Sequence, residues 1–350
     1  MNKIKVALIG CGPVADGHLS GWKKVRNSQI VAAVDVNESV AKRTADAWNI
    51  PSYYGSMPQA LSHEKVDVVD ICTPPQIHAA LAIEAMTAGA NVLIEKPMTM
   101  TSKDADAILQ CKKNTGTMVG VIHNWLFDRC VLEAKTLVER GVLGEVMNVE
   151  IEALAPPSDS MSATEHHWSH TLPGGRFSEM LVHPIYLARY FLGENIVPVD
   201  VQVTKLGAIS WMKSDELCAT FKSGEKMGRV YASFNSSRDA IFLSIYGTEA
   251  ILKLDIINSV LTVLSRRVTS RFNRGYDSIR QAGQLTKSTI KNAAVIASGK
   301  WLSGHQKYIS LFADCYFNHT EPPVTVEDAS EVIRILEQMC KSIKEIQDKT

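Results

Sequence analysis

Paired cysteines are missing from this chain. Cys11, Cys72, Cys111, Cys130, Cys218, Cys315 and Cys340 are odd in number, scattered, and never form a Cys-x-x-Cys pair. That argues against a disulfide framework or a thiolate zinc site and fits the reduced, mostly buried thiols of a cytoplasmic protein. Net charge is missing as well, because 37 Lys and Arg residues balance 37 Asp and Glu residues. The balance argues against a protein that coats nucleic acid generally. No apolar stretch is long enough to span a bilayer. The opening residues MNKIKVALIG enter a strand directly, without the separate apolar segment and cleavage site of a signal peptide. Acid is scarce in one place. From residue 266 to 307, Arg266, Arg267, Arg271, Arg274, Arg280, Lys287, Lys291, Lys300 and Lys307 meet almost no acid except Asp277. The segment reads first as a solvated helical insertion, then as a pocket wall for an anionic substrate, and last as a membrane-surface helix.

What is present is an alternation of apolar runs with helix-length segments over residues 3–122, the pattern of crossover units. KVALI, IVAAVD, VDVVDIC, NVLIE and TMVGVI read as strands, with helices starting near Val14, Asn37, Gln76 and Thr101. Such continuous apolar strands suit a parallel sheet covered on both faces. After His123 the rhythm changes to a charged helix from Arg129 to Arg140, a strand from Glu145 to Leu154, and a Pro/Ser-rich loop. A helix follows from Phe177 to Phe191, then five strands separated by short turns, among them Ser223-Gly224 and Tyr246-Gly247. The chain therefore reads as α/β, with an N-terminal doubly wound domain over 1–123 and a second α/β domain over 124–326 carrying a mostly antiparallel open sheet. A final helix over 327–350 packs back on the body.

Gly10-Cys11-Gly12-Pro13-Val14-Ala15 closes the first strand and opens the first helix. Gly10 makes the tight turn, and Gly12 lets the backbone approach a pyrophosphate held by the helix amides and dipole; Ala15 takes the close-packing position. This points to a dinucleotide. Asp35, at the end of the next strand, stands where a carboxylate reads ribose hydroxyls and repels an extra phosphate, so NAD is expected over NADP. Lys42 and Arg43 are the only nearby cations that would serve a phosphate. A helix cap is the plainer role for Asp35. Thr73 and Pro74, in the Cys72-Thr73-Pro74-Pro75 loop, shape a nucleotide contact, with His78 beside them.

Lys96, in Val92-Leu93-Ile94-Glu95-Lys96-Pro97, is a charge at the exit of an apolar strand facing the same crevice. It can exchange a proton with a hydroxyl, or simply hold Glu95 or a phosphate. Glu179 and His183, four residues apart on one helix, share a face and can orient a substrate or pass a proton, or form a plain stabilising pair. Upstream stand His166, His167, Trp168 and His170. Their spacing does not match a metal motif, so substrate recognition by His167, Trp168 and His170 is the simpler expectation, with no metal. A buried Trp168 is the structural alternative.

The ordered set of Gly10-Cys11-Gly12 with His18, Cys72-Thr73-Pro74-Pro75 with His78, Glu95-Lys96-Pro97, and Gly174-Gly175 followed by Glu179 and His183 resembles the Gfo/Idh/MocA oxidoreductase family over nearly the whole length. The resemblance implies a Rossmann domain with Glu95 at the cofactor, followed by an α/β domain whose open sheet makes homodimer or homotetramer contacts. It implies hydride transfer between NAD(P) and a sugar, cyclitol or related hydroxyl, with Lys96 as catalytic lysine and His183 as its acid/base or positioning partner. Glu179 takes the usual Asp position one methylene longer, and His170 falls where an acid often follows a Trp. The basic 266–307 segment adds phosphorylated or nucleotide-linked sugars to the candidates. An NAD-recycling lyase, hydrolase or epimerase and a non-catalytic NAD-binding regulator are the alternatives.

Overall fold

A computed structural model describes residues 3–265 and 271–349; Arg266 and Arg267 lie outside the described residues, as do the side chains of Arg271 and Arg274. In chain order the first stretch comprises β1 (Ile4–Ile9), α1 (Ala15–Lys24), β2 (Ser28–Val34), α2 (Glu38–Trp48), β3 (Ser52–Tyr54), α3 (Met57–His63), β4 (Val68–Ile71), α4 (His78–Thr87), β5 (Asn91–Ile94), α5 (Ser102–Thr115) and β6 (Val119–Val121). The second comprises α6 (Arg129–Glu139), β7 (Val146–Leu154), α7 (Ser160–Ala163), α8 (Arg176–Met180), α9 (Val182–Leu192), β8 (Val197–Thr204), β9 (Glu216–Ser223), β10 (Lys226–Ser233), β11 (Ala240–Gly247), β12 (Ala250–Asp255), β13 (Val260–Ser265) and α10 (Arg271–Ala297). The chain closes with α11 (Gly304–Asn318) and α12 (Val326–Gln347). Two compact units emerge, residues 1–124 with 302–334, and residues 125–301 with 335–350.

In the first unit six parallel strands take the order β3-β2-β1-β4-β5-β6. The order reverses between β1 and β4, the switch point at which a doubly wound sheet opens a crevice beyond its strand C-termini. β1, β4 and β5 are almost wholly buried, as continuous apolar runs require when helices cover both faces. Helix starts fall where capping side chains stand: Asn37 accepts from the Ser39 amide and Thr101 from the Asp104 amide.

The expected assignment of residues 302–326 to the second domain needs correction, because residues 302–334 belong to the first unit. Packing explains it. Tyr308, Ile309 and Phe312 of α11 are fully buried. A Cβ on Gly21 of α1 would stand 2.6 Å from Ile309, and one on Gly120 of β6 would stand 2.8 Å from Phe312. Small residues on α1 and β6 are what admit this helix. The Phe312 ring meets Trp22 edge-on at 6.2 Å. The final helix accordingly starts in the first unit and ends in the second.

The second unit holds a seven-stranded sheet in the order β13-β12-β11-β7-β10-β9-β8. Only the β7–β10 pairing is parallel among those described, so the sheet is mostly antiparallel as expected. One face buries Val149, Ile151, Phe221, Val230, Leu243 and Leu252, and the other exposes Met227, Tyr231 and Phe242. α9 packs on the buried face, where a Cβ on Gly228 would stand 2.7 Å from Leu192. The single helix expected from Phe177 to Phe191 divides at Leu181 into α8 and α9, with Leu181 itself still in the right-handed helical region.

Candidate active site

In the first unit the glycine turn and the loop after β4 adjoin. Gly10 has φ +92°, and a Cβ there would stand 2.8 Å from the Cys72 carbonyl, so only glycine fits. Gly12 differs. A Cβ there would meet nothing within 4 Å, so its backbone faces open space. Ala15 is buried beneath the turn with Leu8, Leu19, Ala33 and Cys72, and Cys11 and Val14 pack against that cluster, while Gly12 and Pro13 stay exposed. Asp35 accepts from the Cys11 amide at 3.0 Å and from the Asn37 amide at 2.9 Å, so it braces the glycine turn against the start of α2. Thr73 Oγ1 is buried without a hydrogen-bond partner among the described residues, and Pro74 beside it is exposed. The open cradle over Gly12 and the unanswered Thr73 hydroxyl fit a dinucleotide laid across the switch point. Lys42 is paired with Asp46 at 2.8 Å and Arg43 lies 3.5 Å from the Ser39 hydroxyl, both side chains exposed. Val36 follows Asp35 with 94% of its surface exposed.

Two residues expected at the cofactor lie inside the protein instead. His78 is fully buried, its ring nitrogens 2.9 Å from the Pro97 carbonyl and 2.7 Å from the Thr73 carbonyl, so it ties the two loops together. Burial pushes its pKa down. Glu95 is also buried. Its Oε1 accepts from His18 Nε2 at 3.3 Å and from His305 Nε2 at 2.9 Å, while His18 Nδ1 donates to Asp70 at 2.8 Å and the Trp22 indole donates to Asp70 at 2.7 Å. Burial, the largest single influence, would depress His18, but the charge and hydrogen bond of Asp70 together with Cys72 outweigh it and hold the imidazole well above its ordinary range. Burial alone would raise Glu95, and the two histidines hold it well below. The network joins α1, β4, the exit of β5 and α11. Lys96, next to Glu95, is partly exposed at the same strand exit.

The second unit contains a cavity of about 160 Å³ lined by Trp125, Asp159, Arg176, Glu179, Met180 and His183, with Asp239 at its exposed rim. Glu179 and His183 therefore converge even though they sit on separate helices. His183 stacks on the Trp125 indole, with ring centroids 3.9 Å apart and 13° between planes. Its Nδ1 shares a 2.7 Å hydrogen bond with the Tyr186 hydroxyl, which also accepts from the Trp125 amide at 3.1 Å. The ring is thus held on two sides. Arg176 donates to Glu179 and, at 3.3 Å, to Asp159, and its guanidinium lies 5.1 Å from the Phe234 ring. Its Nε is buried without a hydrogen-bond acceptor among the described residues.

Residues 4–123 match the oxidoreductase family's NAD-binding Rossmann fold, and residues 131–253 match the Gfo/Idh/MocA C-terminal domain. The chain belongs to the Gfo/Idh/MocA family. It is accordingly an NAD-dependent oxidoreductase, and its first unit binds NAD. Curated relatives include an oxidoreductase of Formosa agariphila, 24% identical over 97% of this chain and 99% of its own. Another is the myo-inositol 2-dehydrogenase of Thermotoga maritima, 23% identical over 77% of this chain and 81% of its own. Among solved structures, the WlbA dehydrogenase of Bordetella pertussis, in complex with NADH and UDP-GlcNAcA, superposes with a TM-score of 0.81 at 18% identity, covering 98% of this chain and 96% of that one. Levoglucosan dehydrogenase, in complex with NADH and levoglucosan, gives 0.78 at 18% identity over 98% of both chains.

Within this Gfo/Idh/MocA member the histidine loop is placed differently from expectation. His167 caps the turn at Ser169 and leans on Trp168, and His170 bonds the Met161 carbonyl and lines a different cavity, with Trp211 and Lys344. None of His167, Trp168 and His170 lines the cavity of Glu179 and His183. Sequence reading passed over Arg176, Asp159, Trp125 and Tyr186. The three-residue spacing of Arg176 and Glu179 was a usable signal, whereas the packing of Trp125 on His183 had none. The glycine turn supplies a clean test. Gly12→Ala should leave the melting temperature unchanged yet weaken NAD binding at least tenfold by calorimetric titration, since the added Cβ enters the cradle and meets no protein atom within 4 Å. A shared loss of stability would show that Gly12 serves the fold.

Proposed function

We propose that the protein oxidises or reduces one hydroxyl or carbonyl of a single-ring polyol, that is, a sugar, a cyclitol or a derivative of either. The observation that carries this reading is the cavity of the second unit. Its volume, about 160 Å³, is well below the roughly 300–1,000 Å³ of pockets that bury drug-sized ligands, and Asp159, Arg176, Glu179, His183 and Asp239 give it a polar lining. The buried Arg176 Nε–H has no acceptor among the described residues, and a substrate hydroxyl oxygen supplies one. Glu179 and Asp159 answer the Arg176 charge and Asp239 adds another carboxylate, so the lining disfavours a phosphate inside it. Any phosphate or nucleotide appendage would lie outside this cavity. Relatives named for myo-inositol and D-apiose, and solved structures holding levoglucosan or UDP-GlcNAcA, support the class.

Bound NAD supplies the hydride acceptor, and NADH the donor. In this proposal Lys96 takes the hydroxyl proton during oxidation and returns it during reduction. His183, fixed by Trp125 and Tyr186, orients the reacting hydroxyl, and Glu179 and Arg176 hold its neighbours. A homo-oligomer built on the exposed sheet face around Met227, Tyr231 and Phe242 completes the reading, and the seven free thiols support a cytoplasmic setting.

The test is a turnover screen with NAD and NADP against sugars, cyclitols, sugar phosphates and nucleotide sugars, with products identified by mass. Turnover of a ring polyol, with NAD bound more tightly than NADP, is expected. Tighter NADP binding would overturn the role given to Asp35, and product formed without net NADH would favour NAD-recycling chemistry.

A further inference from the structure

The long helix α10 is amphipathic in the wrong sense for a helix that packs on a core. Its inner side is polar. The Gln284 amide pairs with the edge strand β13, accepting from the Val263 amide at 2.6 Å and donating to the Val263 carbonyl at 3.1 Å, as a neighbouring strand would. Asn292, almost fully buried, donates to the carbonyls of Asn258 and Ser259 and accepts from Arg129. These bonds fix which side faces the unit. On the opposite side, at helical spacing, stand Tyr276, Ile279, Gly283, Ile290 and Ala294, with Tyr276, Ile279 and Ile290 exposed by 67, 73 and 65%. Gly283, Ile290 and Ala294 share a shallow concavity there with Thr286, Lys287 and Lys291.

Charge singles out the occupant. Arg280, Lys287 and Lys291 flank the apolar stripe, and the only acid from residue 275 to 300 is Asp277, which lies toward the inner side. A second copy of the helix would bring cations against cations with no acid to answer them. An anionic headgroup layer answers them directly, while apolar side chains between the cations enter the acyl boundary and the long basic stems reach back to the headgroups. No described helix is long and apolar enough to cross a membrane, so the contact is peripheral. We propose that the outer face of α10 docks this enzyme on an anionic lipid surface.

The full-length protein should co-sediment with phosphatidylcholine vesicles containing phosphatidylglycerol, poorly with phosphatidylcholine alone, and less as salt rises. Combined Arg280→Glu, Lys287→Glu and Lys291→Glu should cut the bound partition by more than about a hundredfold, at roughly fivefold or more per charge. Ile279→Asp with Ile290→Asp should do likewise without changing turnover of a soluble substrate, since neither residue lines the Glu179 cavity. Equal binding to both vesicle types, or unchanged binding by both variants, would overturn the proposal. So would sedimentation equilibrium showing that the isoleucine variant dissociates an oligomer while wild type ignores lipid, because the stripe would then belong to a second copy.

Discussion

Replacing Asp70 with alanine is expected to lower the stability of the first unit by about 3–5 kcal/mol, the usual cost of removing one partner from a buried ion pair. Asp70 is fully buried and takes hydrogen bonds from His18 Nδ1 and the Trp22 indole, which lose their acceptor together. The loss should appear as reduced hydrogen-exchange protection of β4 and β5, which reports this unit without assuming that the whole chain unfolds as one. Asp70→Asn, which keeps an acceptor but not the charge, should fall between. The pH profile follows from the signs. His18 is held above its ordinary value of 6.5, so its contribution is complete below that value and fades as pH rises through the folded pKa. Glu95 is held below its ordinary 4.5, so its contribution is complete above that value and fades as pH falls through its folded pKa. Both act fully between about 4.5 and 6.5. Removing Asp70 should erase the alkaline decline, and unchanged protection of β4 across pH would refute the role given to this network.

That network also shows where sequence reading stops. The order of strands and helices in the first unit was legible because buried parallel strands are continuous apolar runs and because Asn37 and Thr101 cap the helices they precede. The short β3 and the α3 helix after it carry no such run and passed unnoticed. Glu95 and His78 sit in motifs that face a cofactor, yet their side chains turn inward, and only the positions of His18 and of His305, 210 residues from Glu95, reveal it. The return of α11 to the first unit is invisible for the same reason, since it depends on a gap left by Gly21 and Gly120. Glu179 and His183 were legible because helical spacing survives the break at Leu181, whose backbone stays helical. His167, Trp168 and His170 looked chemical by composition. In the structure His167 bonds Ser169, His170 bonds the Met161 carbonyl, and Trp168 leans on His167, contacts that shape their own loop.

Lys96→Ala is expected to lower kcat by about 10²–10⁴-fold while leaving NAD affinity and the melting temperature nearly unchanged, the size expected when a proton-transfer group is lost. The backbone on either side of Lys96 is pinned. Glu95 donates its amide to the Ile71 carbonyl at 2.9 Å, Ile122 donates to Ile94 at 2.9 Å, and His78 lies 2.9 Å from the Pro97 carbonyl. Glu95 turns into the buried histidine pair, and Lys96 is the charged residue of the motif left at the surface of the strand exit. Preorganisation of this kind lets one side chain exchange a proton repeatedly without remodelling the loop. Lys96→Arg separates the two roles open to a lysine here. An arginine keeps the positive charge but stays protonated, so it can steady a developing alkoxide and cannot accept a proton. If Lys96 moves the proton, the arginine variant should be as slow as the alanine variant. Near-normal turnover by Lys96→Arg would reduce the residue to an electrostatic support and pass proton transfer to His183.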